Sequence, residues 1–163
     1  TAIASNECSA TVNEDFLDYR GGELIARNGS ISQATSLIDT QNRMNATGTL
    51  YGIRGQFDAA SKMSLAVLRA VNDQWVVVWK TELLEMTHPG LQQIDFPVPV
   101  SVQKDDLVAF IFPETVPVAC DQGTGGIVPF DKDLEAGQKL TQTRVGSHQG
   151  WACSIGVVGM LGE

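Results

Sequence analysis

The sequence predicts an all-β, antiparallel fold, a sandwich or barrel of about ten strands in one domain. Three observations carry this expectation. Apolar and polar residues alternate with a period of two along much of the chain, and no segment keeps a helical period over an ordinary helix length. Gly, Pro, Asn and Asp punctuate the pattern about every eight to twelve residues, the spacing of short strands and turns. The third is length: 163 residues suit a single domain that buries roughly 70% of its unfolded surface.

Residues 1–47 are polar and poor in aromatics, and read as short strands and long connections wrapping a sandwich core at 48–163. From Thr49 the alternation strengthens: Tyr51, Ile53, Gly55 and Phe57 share one face of a strand, and Met63, Leu65 and Val67 one face of the next. Asn72-Asp73 then closes a hairpin, since these residues accept the positive φ of a two-residue loop. The following strand, Gln74–Lys80, places Trp75, Val77 and Trp79 on one face and Val76 and Val78 on the other. Residues 81–86 read as a helical turn or a continuation of that strand, stopped by Thr87-His88-Pro89-Gly90. A strand resumes at 91–96. Pro97 and Pro99 remove two amide donors, which puts 96–100 on a sheet edge or in a connection. Lys104-Asp105-Asp106 turns into an apolar strand at 107–112. Further strands are expected at 116–120, 127–130, 138–144 and 152–161.

Three of these strands are apolar on both faces. Besides Trp75 to Trp79, Leu107, Ala109 and Ile111 oppose Val108, Phe110 and Phe112, while Ile155 and Val157 oppose Val158 and Met160. A two-layer sandwich buries one face of each sheet, and a large apolar side chain left outside forgoes roughly 1.5–3 kcal/mol. The second faces therefore require a cover: the N-terminal segment, another subunit in a homo- or hetero-oligomer, or a long apolar small molecule such as a carotenoid or lipid. Trp75, Trp79, Phe110, Phe112, Trp151 and Met160 are the candidate ligand or interface residues. A competing expectation is a glycan-binding lectin, with Trp151 beside His148 and Gln149 and the acid of Asp131 as its best pieces; an unliganded matrix module is a third.

Motifs for other chemistry are weak. No nucleophile elbow or convergent triad surrounds Cys153, Ser154 or the two histidines, so a non-enzymatic protein is expected. Asp131, Asp133 and Glu135 alternate along a turn and supply hard oxygen atoms suited to calcium, although the EF-hand Gly and Glu positions fall on Ala136 and Gln142. The Gly-rich run 123–126 has no Lys-Ser/Thr after it and opens no helix, so it is no phosphate cradle. With 11 basic and 19 acidic residues the net charge is −8, which disfavours nucleic acid as a partner. No run approaches the ~18 apolar residues of a membrane-spanning helix.

The chain begins at Thr1 without Met, as after removal of a leader or trimming, and contains the sequons Asn28-Gly29-Ser30 and Asn45-Ala46-Thr47; both features favour secretion. Three cysteines allow three pairings. Cys8 and Cys120, in polar or loop-like sequence, are the expected bridge, and Cys153, in an apolar strand, the buried thiol.

The succession Gly48-Thr49-Leu50-Tyr51-Gly52, Leu65-Ala66-Val67-Leu68, Gln74 to Trp79, Gln103-Lys104-Asp105-Asp106-Leu107-Val108-Ala109-Phe110, Val128-Pro129-Phe130-Asp131 and Ala152-Cys153-Ser154-Ile155 resembles a largely uncharacterised domain of secreted marine-invertebrate proteins. The resemblance spans about residues 48–160 and implies a jelly-roll-like sandwich, with no catalytic residues to carry over. Asp105 and Asp106 occupy the place of that domain's Gly-Asp turn, with Asp105 in place of the Gly.

Overall fold

The computed structural model describes residues 17–27, 29–31, 36–114, 116–130, 133–141 and 150–161. Fourteen antiparallel strands are found among them: β1 (Asp18–Gly21), β2 (Gly29–Ser30), β3 (Ser36–Asp39), β4 (Gly48–Phe57), β5 (Ser61–Val71), β6 (Gln74–Lys80), β7 (Leu84–Met86), β8 (Gly90–Val102), β9 (Leu107–Ile111), β10 (Ala119–Gly125), β11 (Ile127–Phe130), β12 (Lys139–Thr141), β13 (Gly150–Cys153) and β14 (Ile155–Leu161). One sheet has the order β1-β14-β4-β8; the other runs β12-β6-β5-β9-β3-β11-β13-β10-β2, with the short β7 paired to the start of β5. Eight of these strands form nested antiparallel pairs: β1 with β14, β3 with β9, β4 with β8 and β5 with β6. This is the jelly-roll arrangement. The surplus over about ten strands comes from short elements whose sequence is too brief to show a period.

Local chemistry sets the turns and edges. Asn72 and Asp73 have φ of 50° and 67°, and Val71 faces Gln74 across them, so the hairpin closes as its sequence predicts. Asp105, at φ 74°, occupies the left-handed conformation that a Gly would take without strain. Strand β8 is a sheet edge, and its register against β4 jumps from Leu50–Val100 to Gly52–Asp95, which loops out the segment containing Pro97 and Pro99. Residues 84–86, read as helical turn or strand, form β7.

The main core lies between the sheets. Leu50, Ile53, Ile155 and Val157 of the smaller sheet meet Leu37, Leu65, Val67 and Phe110 of the larger. A second cluster sits on the outer face of the larger sheet, where Ile38, Leu68, Trp75, Val77, Leu107 and Ile111 are buried beneath Phe130, Leu134 and Leu140. The cover is the segment leaving β11 at one side of that sheet and returning as β12 against β6 at the other. Lys80 ties it down, with Nζ 3.0 Å from Asp133 and 3.3 Å from Glu135. The second face of β14 is covered as well: Tyr19 pairs with Val158, and a Cβ on Gly156 would fall 2.6 Å from the Tyr19 ring, so that glycine makes room for the aromatic.

Several expectations are corrected here. The outer face of the larger sheet is covered by Phe130, Leu134 and Leu140, whereas the N-terminal segment covers the second face of β14 through Tyr19. Of residues 1–47, β3 is an interior strand, hydrogen-bonded to β9 and β11 and buried throughout. The disulfide joins Cys120 to Cys153, because β10 and β13 pair in a register that sets the two residues directly opposite each other with Cα atoms 4.1 Å apart. That displaces the expected Cys8–Cys120 bridge; Cys8 lies outside the described residues.

Candidate functional site

Of the six apolar candidates, the structure puts Trp75, Phe110 and Phe112 into the core, and each is closed to solvent. Trp75 is sealed by Leu140 opposite it on β12 and by the Arg43 guanidinium, 5.3 Å from the ring centroid. Trp151 is half-buried against the main core and lines a small cavity of about 190 Å³ with Arg27 and Asp39. That cavity is internally satisfied. Arg27 donates to Ser154 Oγ, Asp121 Oδ2 and the Glu23 carbonyl, all at 2.9 Å, while Asp39 accepts from the Gln41 and Asn42 amides.

Trp79 and Met160 behave differently. They remain 43% and 40% exposed, and they come from different sheets to line one open groove of about 770 Å³. The groove lies where the edge strand β8 of the smaller sheet parts from the end of β6, beyond the residues that β12 pairs with. Its apolar wall is Val78, Trp79, Tyr51, Val100 and Met160, and its polar rim is Thr47, Thr49, Ser101, Gln103 and Arg69. Two register shifts build it. In β6 an extra residue intrudes between Val77, opposite Leu68, and Trp79, opposite Val67, so Trp79 leaves the outer face occupied by Trp75 and Val77 and turns toward the other sheet. In β4 the shift between Leu50 and Gly52 lets Leu50 face the core and releases Tyr51 to the groove.

One wall is fixed electrostatically. Arg69 forms a two-pronged pair with the buried Asp106, Nε to Oδ1 at 3.0 Å and Nη2 to Oδ2 at 2.9 Å, and Asp106 also accepts the Gln103 amide at 2.8 Å. The hydrogen bond to Asp106 raises the Arg69 pKa against the downward pull of burial, so this cation is permanent. Burial foremost, with Asp39 behind it, likewise pushes the Tyr19 phenol well above its ordinary value.

The metal candidates do not gather into a site. Asp133 and Glu135 both point at the Lys80 ammonium, which pairs with each of them; Asp131 lies outside the described residues, as does the sequon residue Asn28. Among the described residues no group of three or more His, Cys, Asp or Glu converges, and no helix is long and apolar enough to cross a membrane. Asn45 is exposed in the connection between β3 and β4.

Sequence reasoning missed Tyr51, Arg69 and the 99–103 stretch as parts of the groove. The bulges that assemble it leave no periodic trace, since an inserted residue looks like one more member of an apolar run. Comparison with known protein families, with characterised proteins and with solved structures finds no match to this chain.

Proposed function

We propose that the protein is a non-enzymatic, secreted binding module that holds a small apolar molecule, of carotenoid or lipid class, in the groove between β6 and β8. One observation carries this reading: Trp79 and Met160, from different sheets, stay exposed together with Val78, and all three line the same groove of about 770 Å³. Small-molecule sites usually have volumes of about 300–1,000 Å³ and mostly apolar walls with a few polar groups. Met adds a pliable, polarisable surface beside the flat indole. The buried disulfide and exposed Asn45 support a secreted protein. Oligomerisation through the outer face of the larger sheet loses its rationale, because Phe130, Leu134 and Leu140 already cover that face.

The polar rim favours a second reading. Thr49, Ser101 and Gln103 beside Trp79 and Tyr51 give hydrogen-bonding groups next to aromatic faces, the combination that holds sugar rings. The two readings are separated by titrating the protein with a fatty acid and a polyene, following tryptophan fluorescence, and in parallel passing it over immobilised glycans. Saturable quenching that disappears in Trp79→Ala supports the apolar ligand; retention eluted by free sugar and lost in the same variant supports the glycan. Neither response, or responses unchanged in Trp79→Ala, rejects the groove as a binding site.

A further inference from the structure

We propose that Asn45 is an N-glycosylation site whose glycan stands at the rim of the Trp79–Met160 groove and limits access to it. The inference rests on the groove described above, though not on the nature of its ligand. Asn45-Ala46-Thr47 satisfies the acceptor pattern, and both Asn45 and Thr47 are exposed in an irregular stretch between β3 and β4, where an acceptor side chain can enter a transferase. The residue before it is anchored. The Met44 amide donates to the Asp106 carbonyl at 2.9 Å, the Asp105 amide donates to the Met44 carbonyl at 2.7 Å, and the Met44 side chain is buried in the main core. A sugar on Asn45 is thereby attached next to a fixed point rather than to a swinging loop.

Position gives that sugar a consequence. Thr47, the third residue of the acceptor triplet, itself lines the groove, and two residues of chain span at most about 7 Å. A bulky, hydrated glycan rooted there lies beside Thr49 and the Trp79 face. The Cys120–Cys153 bridge supplies independent support, because such bonds persist in the oxidising compartments of the secretory route, where glycan transfer also occurs. In that transfer the Asn45 amide nitrogen attacks the anomeric carbon of a lipid-pyrophosphate-linked oligosaccharide. The new C–N bond forms as the sugar–phosphate C–O bond breaks, the lipid pyrophosphate departs with the bonding electrons, and the amide proton passes to a base of the transferase.

The test uses the full chain secreted from eukaryotic cells with Asn28→Gln, so that any glycan reports on Asn45. Intact mass is measured before and after peptide N-glycosidase treatment of the folded protein. Acrylamide quenching of the Trp79 emission, obtained by difference from Trp79→Phe, then reports groove access without any ligand. The expected result is a glycan mass removed by the enzyme and an approximately twofold lower quenching constant while the bulky glycan is present, restored on its removal and in Asn45→Gln. An unmodified Asn45 overturns the proposal, and so does a glycan that leaves the quenching constant unchanged. Failure of every apolar probe to bind counts against the proposed ligand and leaves this measurement intact.

Discussion

Trp79 lies directly opposite Val67, on the reverse face of β6 from Trp75, although the two indoles are four residues apart and a regular strand would align them. Their energetic roles should divide accordingly. Trp75→Ala empties a sealed site and is expected to cost about 3–5 kcal/mol. Trp79→Ala, at a 43% exposed position, should change stability by less than about 1 kcal/mol while abolishing ligand response. Urea unfolding of both variants checks this, and equal losses would return Trp79 to the core.

Leu134 is fully buried on the outer face of the larger sheet, with no strand of its own to hold it there. Leu134→Ala is therefore expected to cost about 2–5 kcal/mol and to expose apolar surface that binds a hydrophobic dye. Lys80→Met should cost under about 1 kcal/mol, because its partners Asp133 and Glu135 are largely solvated and the attraction is screened. A neutral Leu134→Ala variant, with no added dye binding, would mean that something else covers Ile38, Leu68 and Trp75.

Much of the fold was legible because its signals are local. The period-two pattern of Met63, Leu65 and Val67, the left-handed Asn72-Asp73 loop and the edge-seeking Pro97 and Pro99 each act through their own backbone geometry, and the structure places all three as expected. The doubly apolar strands correctly signalled a second buried layer. Its cover was hidden because Phe130, Leu134 and Leu140 are too sparse to show a period and work only once the chain has crossed the sheet. The disulfide was misread for a related reason: local polarity ranked Cys120 with Cys8, whereas cross-strand register decides which sulfurs meet, and the register of β10 with β13 is a tertiary fact. Of the six ligand candidates only Trp79 and Met160 meet in one groove, since one inserted residue in β6 reverses every side chain after it.

Cys120 and Cys153 are separated by 33 residues, and closing a loop of that size removes unfolded-chain entropy worth about 4 kcal/mol in the chain-entropy description. Reduction under native conditions is expected to lower the unfolding free energy by an amount of this order, and Cys120→Ala with Cys153→Ala to reproduce the loss. Peptide mapping without reduction should recover 120 linked to 153. A Cys8–Cys120 peptide in its place would contradict the β10–β13 register.

Tyr19 gives the fold an alkaline limit. Its ring packs over Gly156 and its hydroxyl donates to the Gly22 carbonyl, and burial chiefly, then the Asp39 charge, raise its pKa above the ordinary 10.0, with Arg54 and Arg27 pulling weakly the other way. The folded state thus keeps a proton that the unfolded chain has begun to release. Stability from this group is fully present below pH 10.0 and declines as pH climbs from there toward the folded-state pKa. Tyr19→Phe should be about 1 kcal/mol less stable at neutral pH, from the lost hydrogen bond, yet fall less steeply above that pH. Urea midpoints collected from pH 7 to about 11 make the comparison. Parallel curves for the two proteins would show that the phenol is hydrated in the native state, and would remove Tyr19 as the lid over the second face of β14.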